Sequence, residues 1–181
     1  MTNTGRGVFE SIGKLLHYPH DEYQADAERC RALLAACEPE AASLIGAFCE
    51  LIRPLPLERL QELFTQTFDL NPVCSLEAGW QLYGEEYARG SFLVAMRGLL
   101  RDYGIAESCE LPDHLTHLLP LLDRLEPDER REFIERHLSP ALSKMLAAFE
   151  NQTTPFQNVL AAVELAARAT QRNHLVEAVH G

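Results

Sequence analysis

No CxxC pair occurs in these 181 residues, and the five cysteines (Cys30, Cys37, Cys49, Cys74 and Cys109) are odd in number and widely spaced. That argues against a disulfide framework or a structural zinc and suits a reducing compartment, so the chain is expected in the cytoplasm. Long apolar runs are also missing. Nothing approaches the ~20 residues that a membrane span requires, and the opening MTNTGRGVFESIGKLLHYP is too broken by Gly, Glu and Lys for the apolar core of an export signal. Direct membrane insertion is therefore not expected. Positive charge is scarce: 16 Lys+Arg stand against 27 Asp+Glu, for a net charge of −11. With no basic cluster to neutralise phosphates, nucleic-acid binding is not expected, whereas a basic partner such as an Arg-containing peptide would be attracted. There is no GxSxG, GxGxxG or P-loop, so no known catalytic or nucleotide motif points to an enzyme.

What remains is helix. Apolar residues make up 46% of the chain, enough for one sizeable core. Leu, Ala, Glu and Arg dominate, and alternating β-branched runs are absent. Leu111, Leu115, Leu118, Leu122 and Leu125 step by 4, 3, 4 and 3, drawing one apolar stripe. Leu93, Met96, Leu100 and Tyr103 draw a second, and Leu57, Leu60, Phe64 and Phe68 a third. Prolines punctuate the pattern near helix starts, and Gly104 stands where a left-handed C-cap would. The expected fold is all-α, a single-domain multi-helix bundle of about eight or nine helices over residues 1–181, with termini 1–5 and 173–181 poorly ordered. Helices are expected near 6–17, 21–37, 40–52, 56–69, 78–103, 112–125, 127–138, 140–150 and 155–178. No internal period suggests a solenoid. Between the third-stripe helix and the long helix from 78, FDLNPVCSLEAGW (68–80) holds the Asn71-Pro72 turn signal and Ser75 as a candidate N-cap, in a loop expected to lie against the body.

One stretch concentrates ionisable groups: ELPDHLTHLL (110–119). Zinc sites on helices place two His at i and i+4 on one face, but His114 and His117 are three apart. On a wheel at ~100° per residue, His114 lies beside the leucine stripe, His117 further round and Asp113 nearly opposite, so the trio fans toward solvent and no metal site is expected. Adjacency also prevents Asp113 and His114 from forming an oriented acid–base pair on a helix. Right after Pro112, Asp113 suits a helix's first turn with no further role. A helical metal-dependent hydrolase built on His114 and His117, and a generic adaptor for an amphipathic segment, remain as alternatives.

Four short blocks in order carry a resemblance: FDLNPVCSLE (Phe68–Glu77), YGEEYARG (Tyr83–Gly90), LLRDYGI (Leu99–Ile105) and ELPDHL (Glu110–Leu115). ERHLSPAL and TPFQNVLAAVELA follow. Together they resemble the NarJ/TorD/DmsD family of redox-enzyme maturation chaperones, with the nitrate reductase delta-subunit branch closest. The chain departs from that pattern at Ala141, after Pro140, where members often carry Trp. The resemblance implies an all-helical, cytoplasmic, non-enzymatic protein with no cofactor and no metal, acting as monomer or homodimer. Its implied partner is the apo catalytic subunit of a molybdenum-cofactor oxidoreductase, held through a twin-arginine-like N-terminal leader until cofactor insertion; molybdenum-cofactor biosynthesis proteins are implied as further partners. By position, the implied peptide-binding residues are Asp113, His114, Leu60, Leu63 and Phe64. Phe68, Asp69, Pro72, Ser75, Arg89, Gly90 and Pro112 belong to the recurrent motifs, as groove-forming or structural residues. In a purely structural reading the Leu60–Phe64 face is core, Gly90 admits a neighbouring helix, and Arg89 pairs with an acid such as Glu85 four residues earlier.

Overall fold

The computed structural model describes residues 7–149 and 154–180, with side chains through 172. Of the termini expected to be poorly ordered, 1–5 and 181 fall outside what is described, and 173–180 are described only as backbone of the last helix. Ten α-helical segments occur among the described residues: α1 Val8–Gly13, α2 Tyr23–Ala35, α3 Pro39–Ile52, α4 Leu57–Phe64, α5 Ala78–Tyr83, α6 Tyr87–Asp102, α7 Leu115–Arg124, α8 Pro127–Phe133, α9 Ser139–Ala147 and α10 Phe156–His180. Residues 134–138 continue α8 into α9 without a break. Nine helical rods result, and no strand occurs among the described residues, so the fold is all-α. None of the described helices is long and apolar enough to cross a membrane.

Periodicity explains most of the packing. Tyr23, Ala27, Cys30 and Leu34 bury one face of α2, and Ala41, Ala42, Ile45, Phe48, Cys49 and Ile52 bury one face of α3. These faces pack together, and α10 closes over α3 with Phe156, Val159, Leu160 and Val163 fully buried. At the centre lies α7. Its residues 115–119, 121 and 122 are all buried, the polar Thr116 and His117 among them, so burial extends well beyond one apolar stripe. Leu111, expected to begin that stripe, is 40% exposed.

Three helix boundaries differ from expectation. The stretch 78–103 is two helices, because Gly84 adopts φ 57° and ψ −127°, a conformation that ends α5 and turns the chain. The helix expected from Pro112 begins at Leu115, after a turn through Pro112 and Asp113. At 134–138 the backbone widens into a π turn, with the Ser139 N–H bonding back five residues to the Ile134 carbonyl. That widening lets a continuous rod accommodate Pro140, which has no N–H and crowds the preceding turn. A second π turn, 65–69, extends α4 as far as Asp69, closed by Leu70 N–H on the Thr65 carbonyl at 3.0 Å.

Gly104 takes the C-cap role expected of it. At φ 65° it lets its own N–H reach the Arg101 carbonyl (3.1 Å) and the Ile105 N–H reach the Leu100 carbonyl (2.7 Å). Gly104→Ala should lower unfolding stability by about 1–2 kcal/mol, the cost of a side chain in left-handed backbone, as read from urea midpoints at unchanged m-value.

Candidate functional site

A six-residue helix such as α5 has little internal hydrogen bonding, and its first N–H groups need partners from outside. Its N-cap residue, Glu77, supplies no side-chain cap. Asp113, 34 residues away, takes that role: its carbonyl accepts the Ala78 N–H at 2.9 Å and its Oδ2 accepts the Gly79 N–H at 2.9 Å. Two residues on, the Leu115 N–H bonds the Leu76 carbonyl at 3.0 Å, completing an antiparallel bridge between Glu77 and His114. Asp113 is therefore 0% exposed and not on the solvent side of a helix. The wheel misplaced it because the residue precedes the helix. A Cβ on Gly79 would sit 2.6 Å from Asp113 Oδ2 and 2.9 Å from Phe92 Cδ1, so only glycine permits this approach.

The bridged segments form one wall of a cleft of about 620 Å³. Its apolar side comes from Phe64 and Phe68 at the end of α4, whose rings meet edge-on at 5.0 Å and rest on Phe156 at 5.5 and 5.3 Å. Tyr18 packs against Phe64 at 5.7 Å and is 52% exposed. Opposite stand Pro72, Ser75, Glu77, Trp80, Arg89, Glu110, His114 and Thr116, with Asp69 at the end of the π turn. The 72–75 loop lies against the body, as expected, because α5 clamps it. Trp80 Nε1 donates to the Pro72 carbonyl at 2.9 Å, and Gln81 Nε2 donates to the Val73 and Ser75 carbonyls at 3.0 and 2.9 Å. Three carboxylates, Asp69, Glu77 and Glu110, thus share the cleft with one guanidinium, and that guanidinium is committed: Arg89 Nη2 lies 3.0 Å from Glu77 Oε2 and its Cζ 5.3 Å from the Trp80 ring centre.

Seven of the residues singled out in the sequence converge here: Phe64, Phe68, Asp69, Pro72, Ser75, Arg89 and His114. The others do not line the cleft. Leu60 is 2% exposed in the core, Leu63 is half-buried against the core, and Asp113 and Pro112 are buried. Gly90 is exposed with open space beside it, so it admits no neighbouring helix. Arg89 pairs with Glu77 and not with Glu85. Ser75 caps no helix; its hydroxyl instead donates to Glu77 Oε2 at 3.2 Å. Glu77, Glu110, Tyr18, His17 and Trp80 were not anticipated. Glu77 and Glu110 stand inside the motif blocks, and Trp80, the chain's one tryptophan, lies in the first turn of α5. The two histidines considered for metal binding have separate roles. His117 donates from Nδ1 to the Leu111 carbonyl (2.9 Å) and accepts the Ser108 N–H at Nε2 (3.0 Å). His114 is the N-cap of α7, its Nδ1 accepting the Thr116 N–H at 3.3 Å and the Thr116 hydroxyl at 2.7 Å. Among the described residues, no three His, Cys, Asp or Glu side chains are placed to share a metal ion.

Burial shapes the titration of this wall. The His114 imidazole is pushed down to about 4, first by burial and then by His117 and His17. An unfolded chain therefore takes the proton near pH 6.5 while the folded chain refuses it, so the stability His114 contributes is present above pH 6.5 and lost as pH falls toward 4. The total swing is about 3 kcal/mol at most. His114→Asn keeps a capping acceptor and should flatten this fall when urea stability is measured across that range. Burial and Glu77 raise the Asp113 carboxyl above its usual value against the pull of Arg89. Its contribution is thus greatest at low pH and lessens as pH rises through the folded value. Asp113→Asn, which still accepts from Gly79, should stay within about 1 kcal/mol of the parent at neutral pH, whereas Asp113→Ala should lose about 1–2 kcal/mol with the cap. Equal loss in both variants would contradict the capping role.

Comparison with known families returns the same identification as the motif blocks. A search of curated proteins finds no match. Residues 21–162, spanning α2 through the first two turns of α10 and including every cleft residue except Leu16, His17 and Tyr18, match the family described as nitrate reductase delta subunit. The chain belongs to the nitrate reductase delta subunit family, a family of maturation chaperones.

Proposed function

We propose that this protein is a cytoplasmic chaperone that captures, in the Phe64–Phe68–Trp80 cleft, the N-terminal leader of an apo molybdenum-cofactor oxidoreductase. The client is nitrate reductase or another member of the dimethyl-sulfoxide-reductase superfamily. Reversible capture keeps the leader from engaging membrane or export machinery until the cofactor is in place. The protein works by binding and performs no catalytic step.

The observation that carries this reading is the convergence of aromatic and acidic motif residues on one cleft. A twin-arginine-like leader couples guanidinium groups to an apolar, helix-forming run. Phe64, Phe68 and Tyr18 offer an apolar surface, and Asp69 and Glu110, which have no cationic partner among the described residues, offer carboxylates at its edges. A volume of about 620 Å³ suits a few side chains and not a whole leader helix. Exposed apolar residues next in sequence to the lining extend the surface: Leu70 (73%), Val73 (61%) and Leu111 (40%). The net charge of −11 favours a basic segment at long range, and added salt should slow the encounter. In this reading Asp113 contributes by holding the wall in place, and Leu60 and Leu63 by packing with the core that includes Phe64.

Leader peptides of molybdoenzymes encoded near this chain should bind in calorimetric titrations. Charge reversal at the exposed acids, Asp69→Lys with Glu110→Lys, should weaken binding by about tenfold or more, roughly 1.4 kcal/mol, at unchanged melting temperature. Undetectable binding of every such leader, or binding indifferent to the reversal, would contradict the proposal.

A further inference from the structure

Recognition of an arginine side chain calls for a carboxylate to accept its N–H groups and an aromatic face for its planar cation. The cleft already contains that pair, and the chain's own Arg89 fills it. Glu77 Oε2 takes Arg89 Nη2 at 3.0 Å, and the guanidinium carbon lies 5.3 Å from the Trp80 ring centre. Both acceptor groups are fixed in place independently of Arg89. Glu77 is held by the Ser75 hydroxyl at 3.2 Å and by the bridge to His114, and Trp80 is pinned through Nε1 to the Pro72 carbonyl. Arg89 comes from a different element, the first turn of α6, and the ion pair keeps 21% and 27% of its two side chains exposed at the cleft surface.

From this geometry we infer that Glu77 and Trp80 form a guanidinium subsite, self-occupied by Arg89, that an arginine of the bound segment takes over by displacing it. The physiological ligand named here rests on the leader-capture reading; the subsite itself does not.

Two further features make the displacement plausible in energy. Arg89 is imperfectly satisfied where it is, since its buried Nε has no hydrogen-bond partner. A second carboxylate also lies within its electrostatic reach: Asp113, whose charge Arg89 stabilises and whose buried Oδ1 is likewise unpartnered. An arriving guanidinium exchanges one ion pair at Glu77 for another of the same kind, while the released Arg89 remains beside an acid with an open lone pair. Near-equal exchange favours reversible capture over permanent binding. It also selects arginine over lysine, because the ammonium group lacks the flat face that lies on Trp80.

The sole tryptophan of the chain is the subsite wall, so its emission reports occupancy directly. The test titrates argininamide and, separately, lysinamide into wild type, Arg89→Ala, and Arg89→Ala with Glu77→Gln. With the subsite vacated, argininamide should shift Trp80 emission at about tenfold lower concentration than in wild type, lysinamide should not, and Glu77→Gln should abolish the gain. Should Arg89→Ala fail to fold by circular dichroism, Arg89→Gln takes its place, removing the charge while keeping a hydrogen-bond donor. Equal argininamide response in wild type and the vacated variant, an equal lysinamide response, or indifference to Glu77→Gln would each overturn the subsite. Because no leader peptide enters this experiment, its failure is separate from failure of leader capture.

Discussion

Two N–H groups at the start of α5 have no partner within their own helix, and Asp113 provides for both, one through its carbonyl and one through its carboxylate. Much of the cleft follows from that contact. It fixes a helix of only six residues, and that helix carries Trp80 and Gln81, the two side chains that hold the 72–75 loop. The contact also leads into the bridge that sets Glu77 beside His114 on the cleft wall. Gly79 makes it possible by having no side chain, and Lys144 of α9 steadies the other end of α5 by donating to the Gln81 carbonyl at 2.6 Å. Burying a carboxylate with one oxygen unpartnered carries a cost. Spread over a wall that positions a charged pair and an aromatic face, that cost is part of what builds the site.

The cleft is asymmetric in a way that suits a cationic, amphipathic ligand. Its apolar side is the end of α4 and belongs to the main core through Phe156, so it is rigid and pre-formed. Its polar side is loop, bridge and the first turn of α6, where the ion pair and the solvent-facing acids lie. Apolar contact on a pre-formed surface supplies affinity with little ordering cost, while charge on the polar side supplies selection and encounter rate. With one resident arginine held by Glu77 and Trp80, the acidic excess still leaves Asp69 and Glu110 at the cleft without a cationic partner among the described residues.

Helix content was legible because apolar spacing in α4, α6 and α7 is regular and propensity agrees with it, and Gly104 announced its cap. Boundaries were less so. Gly84 breaks a continuous apolar pattern through one backbone conformation, and Pro140 sits inside a rod because a π turn precedes it, neither of which periodicity reveals. For the site, seven of the residues singled out in the sequence share the cleft, six of them within the motif blocks. Helical geometry, applied to Asp113 and His114, failed for a definite reason: both precede the helix, so the wheel assigned directions to residues that follow a turn and a bridge. Arg89 was read against its own helix, where Glu85 stood at the favoured spacing, but its partner was twelve residues away and reachable only once the Gly84 turn folded α6 back on the wall. Tyr18 and His17 carried no local signal, since tertiary packing alone brings the end of the first helical turn to the cleft.

The central claim is that a client leader occupies the cleft whose wall contains Trp80. Titrating a leader peptide while following Trp80 emission, with calorimetry on the same samples, tests it most directly. The account predicts a saturable change in emission with the same dissociation constant as the heat signal. Heat of binding with no change in Trp80 emission would place the leader elsewhere on the protein and contradict the account.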